Sequence, residues 1–171
     1  MRDKRNRVRE LAFLINLSEV QVRMGEHGAA IANLEQVIAQ APESWTYKPM
    51  AYYILSEAYL IQGEVDRALE IIEQKIPLLE KQDDPYISGQ IWLVLGLFVA
   101  RTNRPIPDNL TKDGPYNAPA CFAKSLTIFT EIENERERAI VLWTWGDYEL
   151  ARGRGPRERR CSKKRIIFLN G

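Results

Sequence analysis

Four turn signals recur along this chain, and each follows a stretch with helical apolar spacing. They are Gly25, Gly63, Asn103 and Gly153, and the first two are 38 residues apart. Glycine, and less often asparagine, adopts the left-handed backbone that ends a helix and starts a tight turn. The pattern therefore predicts antiparallel helical hairpins, about seven helices in all, and an all-α fold.

Side chains of one size recur at fixed distances from these turns. A large residue stands eleven positions before each turn, at Leu14, Tyr52, Trp92 and Leu142, and a small residue stands seven positions before it, at Ser18, Ser56, Gly96 and Gly146. The second helix repeats a small residue at Ala30, Ala68 and Ala118 and a large apolar residue at Leu34, Ile72 and Phe122. A small residue facing a large one lets two helices approach closely, so each hairpin is predicted to pack in the same register.

The same register divides the chain. We predict one repeat domain over residues 1–153 and a basic tail, expected to be irregular or disordered, over 154–171. Pro77 should kink or split its helix. The proline-rich stretch 104–115 displaces the third return helix by ten residues and reads as a loop, either a functional or mobile one or a tolerated surface insertion. The predicted elements are hairpins at about 9–42, 47–82 and 85–132 and a lone helix at 135–152.

These repeated positions resemble the tetratricopeptide repeat family. The spacing near 40 residues is similar to the longer repeats attached to bacterial signalling ATPases, cyclases and transcription regulators. The resemblance implies a right-handed superhelix whose first helices line a concave groove, and a non-catalytic module that binds a protein or peptide there. Ile15 and Glu19 stand where some family members carry the lysine and asparagine that grip a terminal carboxylate, so chaperone C-terminus binding is not expected.

The groove predicted from this resemblance is apolar and edged with mixed charge. Its anchors are expected to be Tyr53 and Trp143, because aromatic side chains often dominate interfaces. The sequence leaves two environments open for Trp143, contact with a partner or burial by a neighbouring segment. Charged residues expected to give selectivity are Glu19, Arg23, Glu57, Arg101 and Asp147. The full predicted lining is Ile15, Glu19, Val22, Arg23, Tyr53, Glu57, Leu60, Ile61, Gln90, Leu93, Leu97, Arg101, Trp143, Asp147 and Leu150.

Composition argues for a globular chain with an unusual charge distribution. Hydrophobic residues make up 45% and charged residues 27%, which is ordinary for a globular domain. No apolar run approaches the roughly 20 residues that span a bilayer, and the first 17 residues lack a cleavage site, so a cytoplasmic location without membrane contact is expected. The two cysteines lie in unlike contexts, and no disulfide is predicted. The chain has 24 basic and 23 acidic residues, and residues 152–171 contain eight of the basic residues and one of the acidic residues. Residues 1–151 therefore hold 16 basic and 22 acidic residues, so the body is mildly acidic and the tail is basic.

Catalytic and cofactor motifs are missing from the sequence. The only histidine, His27, begins a helix and is expected to be exposed to solvent, and one histidine with two scattered cysteines is too few for a metal site. No phosphate-binding Gly-x-x-x-x-Gly-Lys-Ser/Thr loop or Gly-x-Ser-x-Gly elbow occurs. Acidic pairs such as Glu131 and Glu133 are expected to cap helices or remain solvated. We therefore expect no enzyme activity, no cofactor and no metal.

Two alternatives to a groove remain from the sequence. The charge run Arg157–Arg165 is able to attract a nucleic acid, although disorder is the favoured interpretation of a run without interleaved aromatic residues, and phosphate contacts would make binding steeply salt-dependent. The last helix lacks a return helix, so Leu142, Trp145 and Tyr148 are a candidate face for a homodimer.

The tail after Gly153 provides the first test. The repeat pattern stops at Arg154, so these residues need not belong to the fold at all, for example if they arose from a shifted reading frame. A chain shortened to residues 1–153 is expected to unfold at the same temperature as the full chain, followed by circular dichroism. A large loss of thermal stability would show that the tail is part of the folded unit.

Overall fold

The computed structural model describes residues 4–80, 83–111 and 116–153, and the only regular secondary structure in this part of the chain is helical, without strands. The predicted all-α class and the seven helices are confirmed. The first helix begins five residues earlier than predicted. The helices are α1 (Lys4–Met24), α2 (His27–Gln40), α3 (Lys48–Gln62), α4 (Val65–Glu80), α5 (Pro85–Thr102), α6 (Ala118–Glu131) and α7 (Glu135–Gly153).

Three of the four predicted corners have the expected left-handed backbone. The φ angles are 84° at Gly25, 88° at Gly63 and 55° at Asn103. Gly153, the fourth predicted corner, instead remains in the last turn of α7. The turn between α6 and α7 is made by Glu133, with φ 55°, a position that the repeat pattern did not mark.

Local signals at the other helix ends behave as their chemistry requires. The Asp84 side chain accepts a hydrogen bond from the Tyr86 amide at 2.8 Å, and Pro85 occupies the first turn of α5. Asn117 caps α6 in the same way. Helix α4 runs through Pro77 without a break, so of the two predicted effects, a kink or a split, the split does not occur.

The helices pack in two layers. Each helix contacts the next one along the chain, and α1 with α3 and α3 with α5 also pack together. No two even-numbered helices pack to a comparable extent in the described chain. Helices α1, α3 and α5 therefore form a continuous inner layer, and α2, α4 and α6 lie on its outer side. Helix α7 packs against α6, and the side chains of Arg136 and Glu137 join it to α1 and α5.

The predicted small residue of each hairpin is buried. Ser18 and Ser56 are buried, and their hydroxyls donate to the carbonyls of Leu14 and Tyr52 in their own helices, so no polar group is left unsatisfied. At Gly96 an added Cβ would lie 2.6 Å from the ring of Phe122. This position is therefore restricted to glycine while the ring stays in place.

The stretch after α5 is more ordered than a surface loop. It contains a short 3-10 helix, Asp108–Leu110, that packs against α4. Ile106 and Leu110 are buried in the core cluster. The proline-rich composition predicted only a loop, because the burial of two apolar side chains depends on the distant helix that they cover.

A matched pair of glycine substitutions tests the hairpin packing. Gly96→Ala is expected to lower the free energy of unfolding by about 2 kcal/mol, because the buried Phe122 ring has no room to move. Gly146→Ala, at the equivalent position of α7, meets nothing within 4 Å and should raise stability by about 1 kcal/mol through helix propensity. Urea unfolding in dilute solution measures both, and equal effects at the two positions would contradict the proposed packing.

Candidate binding groove between the odd-numbered helices

A cavity of about 360 Å³ opens between the C-terminal halves of α1, α3 and α5 and the length of α7. We call this cavity the groove. Its lining is mostly apolar, with four charged residues. The lining residues are Val22, Arg23, Glu57, Ile61, Leu97, Ala100, Arg101, Phe122, Ile140, Trp143, Thr144, Asp147, Tyr148 and Ala151.

The structure brings about half of the predicted lining together. Eight predicted residues border the cavity, at Val22, Arg23, Glu57, Ile61, Leu97, Arg101, Trp143 and Asp147. The predicted residues that are instead buried in the core are Ile15, Tyr53, Leu60, Gln90 and Leu93. A partner cannot reach these five in this conformation, and Tyr53 is a core residue whose hydroxyl lies 3.3 Å from that of Tyr86. Burial also raises the pKa of the Tyr53 phenol well above its usual value.

The wall between α1 and α3 is held by an ion pair. Arg23 places its two terminal nitrogens 2.6 and 3.3 Å from the carboxylate oxygens of Glu57. The Glu57 side chain is only 7% exposed, and burial raises the pKa of its carboxyl, although Arg23 opposes the rise. A two-pronged contact of this kind fixes both position and orientation. The pair therefore sets the spacing of the two helices at the groove.

A second polar cluster lies near the start of α7, outside the lining of the groove. Glu137 is buried, and its carboxylate receives hydrogen bonds from Gln90 at 2.7 Å and from the Tyr86 hydroxyl at 3.3 Å. Arg136 pairs with the same carboxylate at 2.7 Å and also with Glu19 of α1. These contacts join α1, α5 and α7 across the inner layer. Glu19, predicted to face a partner, is therefore engaged within the chain.

The edge of the groove still carries groups without internal ion pairs. Arg101 and Asp147 are exposed and have no ion-pair partner among the described residues. Trp143 also lines the groove and is 71% exposed. Of the two environments that the sequence left open for Trp143, accessibility to a partner is therefore found and burial by a neighbouring segment is not. The groove thus has an apolar floor, and one cation, one anion and one indole are exposed at its edge. A ligand could make both polar and apolar contacts there.

Sequence reasoning missed most of the α7 contribution. Ile140, Thr144, Tyr148 and Ala151 line the cavity, whereas the predicted Leu150 is exposed and is not among the lining residues. The prediction gave α7 the same rotation as α1, α3 and α5. Residues 140, 144, 148 and 151 have helical spacing, so the sequence could have indicated this face of α7. The face was missed because it mixes apolar and polar side chains.

The candidate catalytic groups do not assemble. His27 is partly buried rather than exposed, its Nδ1 has no hydrogen-bond partner in the described chain, and burial followed by the nearby Arg101 lowers its pKa. Cys121 is free and buried, and burial raises its pKa to about 12. Among the described residues no three histidine, cysteine, aspartate or glutamate side chains converge to hold a metal ion.

A second cavity of about 380 Å³ lies on the outer side, between α2, α3 and α4. Three of its charged lining residues are engaged internally, since Arg67 pairs with Glu35 at 2.6 Å and Glu43 pairs with Lys48 at 2.7 Å. The Arg67 guanidinium also stacks 4.5 Å from the centre of the Tyr59 ring. The inner groove is therefore the better candidate for a ligand.

Comparisons with known proteins do not assign this chain to a family. No family model matches it, and no significant match was found among curated proteins or solved structures. The likeness to tetratricopeptide repeats thus stays a prediction that rests on the repeated positions. None of the helices in the described ranges combines the length and hydropathy needed to cross a membrane.

The Arg23–Glu57 pair gives a prediction with a matched control. Arg23→Met leaves the buried Glu57 without a counterion and should lower the free energy of unfolding by about 2 kcal/mol at neutral pH. Arg7→Met, on the same helix, removes a half-exposed pair with Glu10 and should cost less than about 1 kcal/mol.

The pH dependence of this loss follows from the raised pKa of Glu57. A folded-state pKa above the unfolded value means that the folded chain binds more protons, so the contribution of Glu57 to stability falls as pH rises through the folded pKa. Without Arg23 that pKa rises further. The difference in unfolding free energy between wild type and Arg23→Met should therefore be small in acid and grow towards neutral pH. A difference independent of pH would contradict the assigned charge pair.

Proposed function

We propose that this chain is a non-catalytic protein–protein interaction module that holds a peptide segment of a partner in the groove between its odd-numbered helices. The observation that carries the proposal is the edge of the groove, where the exposed Trp143 lies beside Arg101 and Asp147 over an apolar floor. Exposed aromatic and arginine side chains around a concavity are the groups that most often dominate binding energy.

The groove is preformed in the chain without a ligand. The Arg23–Glu57 pair and the hydrogen bonds to Glu137 join α1, α3, α5 and α7 in the chain without a ligand. A preformed site does not spend binding energy on ordering its own walls. A short extended or helical segment is therefore able to bind without rearrangement of the helices.

The charges of the groove indicate the chemistry of the partner. Arg101 suits an acidic side chain and Asp147 a basic one, while the floor at Val22, Ile61 and Leu97 suits an apolar side chain between them. The ligand that fits is a peptide with one apolar anchor flanked by residues of opposite charge. A long run of a single charge would leave either Arg101 or Asp147 facing a like charge.

The wider role follows only from the repeat pattern. Its period near 40 residues supports a place in a bacterial signalling or regulatory assembly in the cytoplasm. The nucleic-acid alternative depends on Arg157–Arg165, which lies outside the described residues. Binding that falls steeply with salt and is lost with residues 154–171 would favour that alternative.

Selection from a random peptide library tests the proposal directly. Peptides captured by the wild-type chain are expected to carry an apolar anchor with flanking charges of both signs. Their dissociation constants, measured by isothermal titration calorimetry, should rise at least about tenfold with Arg101→Glu or Trp143→Ala, which corresponds to about 1.4 kcal/mol.

Phe13→Ala is the matched control, because Phe13 is an exposed aromatic residue of α1 that does not line the groove. It should leave the dissociation constants unchanged. Peptides that bind equally to all variants, or a library that yields no binder, would contradict a binding site in this groove.

A further inference from the structure

Helix α7 is held in the fold differently from the other walls of the groove. Helix α3 packs along both α1 and α5, whereas α7 packs extensively only against α6 and makes no comparable contact with α1, α3 or α5 in the described chain. Part of its apolar support comes from Phe122 of α6, whose ring centre lies 6.2 Å from that of Trp145 and 5.9 Å from that of Tyr148. The groove lies between α7 and α1, α3 and α5, in place of such packing.

Polar contacts near the start of α7 join it to the inner layer. The buried carboxylate of Glu137 accepts hydrogen bonds from Gln90 of α5 at 2.7 Å and from the Tyr86 hydroxyl at 3.3 Å. Arg136 adds a contact with Glu19 of α1. Both α7 residues stand in the first turn of the helix, whereas the residues of α7 that border the groove begin at position 140 and continue to 151.

The corner before α7 lets a small rotation produce a larger displacement along the helix. Residues 132–134 join α6 to α7, and Glu133 among them has a φ of 55°. The Asn134 side chain accepts a hydrogen bond from the Glu137 amide at 3.1 Å, which caps the start of α7. A helix extends about 20 Å from Asn134 to Asp147 at about 1.5 Å per residue, so a rotation of about 10° at the corner moves Asp147 by about 3.5 Å.

We propose that Glu137 positions α7 as a hinged wall of the groove, so that its carboxylate controls the distance of Trp143 and Asp147 from the inner layer. With the hydrogen bonds to Glu137 made, α7 stands close and the groove is formed. With them broken, α7 turns at residues 132–134 and the groove widens, while α1 to α6 remain packed. Glu137 does not line the groove, so it acts on the site without touching a ligand.

The burial of Glu137 makes its contacts specific for one position of α7. A buried carboxylate is unfavourable unless hydrogen-bond donors meet it, and Gln90 and Tyr86 supply these donors where α7 now stands. If α7 turned outward, water would supply them instead. Desolvation offsets much of the gain from buried charged contacts, so the two positions of α7 are close in free energy. A single change at Glu137 is therefore enough to shift their populations.

Distances between spin labels, measured by double electron–electron resonance, test the position of α7 without a ligand. Met24→Cys on α1 and Leu150→Cys on α7 carry the labels at exposed positions, in a Cys161→Ser background in which the buried Cys121 remains. Without Glu137→Ala the pair is expected to give one narrow distance distribution. With Glu137→Ala its mean should increase by at least about 3 Å, as a rotation at the corner requires.

Arg138→Ala is the matched control, because Arg138 pairs with Glu135 inside α7 and should leave the distance unchanged. Gln90→Ala removes one hydrogen bond from the α5 side, so it should increase the distance in the same direction and add nothing to Glu137→Ala. A second label pair, Met24→Cys with Gln36→Cys on α2, should keep its distance in every variant, which shows that the remaining helices stay packed. An unchanged distance to α7 in Glu137→Ala, or an equal increase in Arg138→Ala, would overturn the proposal.

The consequence for binding rests on the proposed function, and peptide affinity separates the two. If both hold, library-selected peptides should bind Glu137→Ala at least about tenfold more weakly than Arg138→Ala. If the distance to α7 increases but no peptide binds the wild-type chain, the proposed function fails while the role of Glu137 as a positioning residue is supported. Equal affinity of Glu137→Ala and Arg138→Ala for the peptides, despite an increased distance, would overturn the control of the groove by Glu137.

Discussion

The close contact between the two helices of each hairpin is the constraint on which the rest of the structure depends. Small buried residues stand at the equivalent positions Ser18, Ser56 and Gly96, and at Gly96 an added Cβ would lie 2.6 Å from the Phe122 ring. Once the hairpins are packed in one register, the first helix of each hairpin lies beside the first helix of the next. The inner layer and the groove therefore depend on close packing of the helices at Ser18, Ser56 and Gly96.

The inner layer has a composition that a purely apolar core would not have. It buries the carboxylates of Glu57 and Glu137, which is unfavourable unless each is paired and hydrogen-bonded. Arg23 of α1 and Gln90 of α5 supply partners from neighbouring helices, and Arg136 supplies one from α7 itself. These contacts fix the angles between α1, α3, α5 and α7, while the same helices leave a cavity toward their C-terminal halves.

Local signals in the sequence predicted the helices and three of their corners, because each of these depends on a few adjacent residues. Gly63 and Asn103 end helices through their own backbone preferences, and Asp84 starts one through a hydrogen bond two residues away. The groove was predicted only in part. Glu137 stands in an alternating run of acidic and basic residues, and its burial depends on Gln90, 47 residues earlier in the chain. The rotation of α7 depends also on the contact of Arg136 with Glu19, 117 residues earlier. No local pattern reveals such pairs.

Hydrogen–deuterium exchange of the chain with and without a library-selected peptide tests the central claim most directly, since it locates the ligand without altering a residue. The account predicts slower exchange in the C-terminal halves of α1, α3 and α5 and along α7, the segments that surround the groove. Exchange in α2 and α4, on the outer side, should not change. Protection confined to those outer helices, or no protection with saturating peptide, would contradict it.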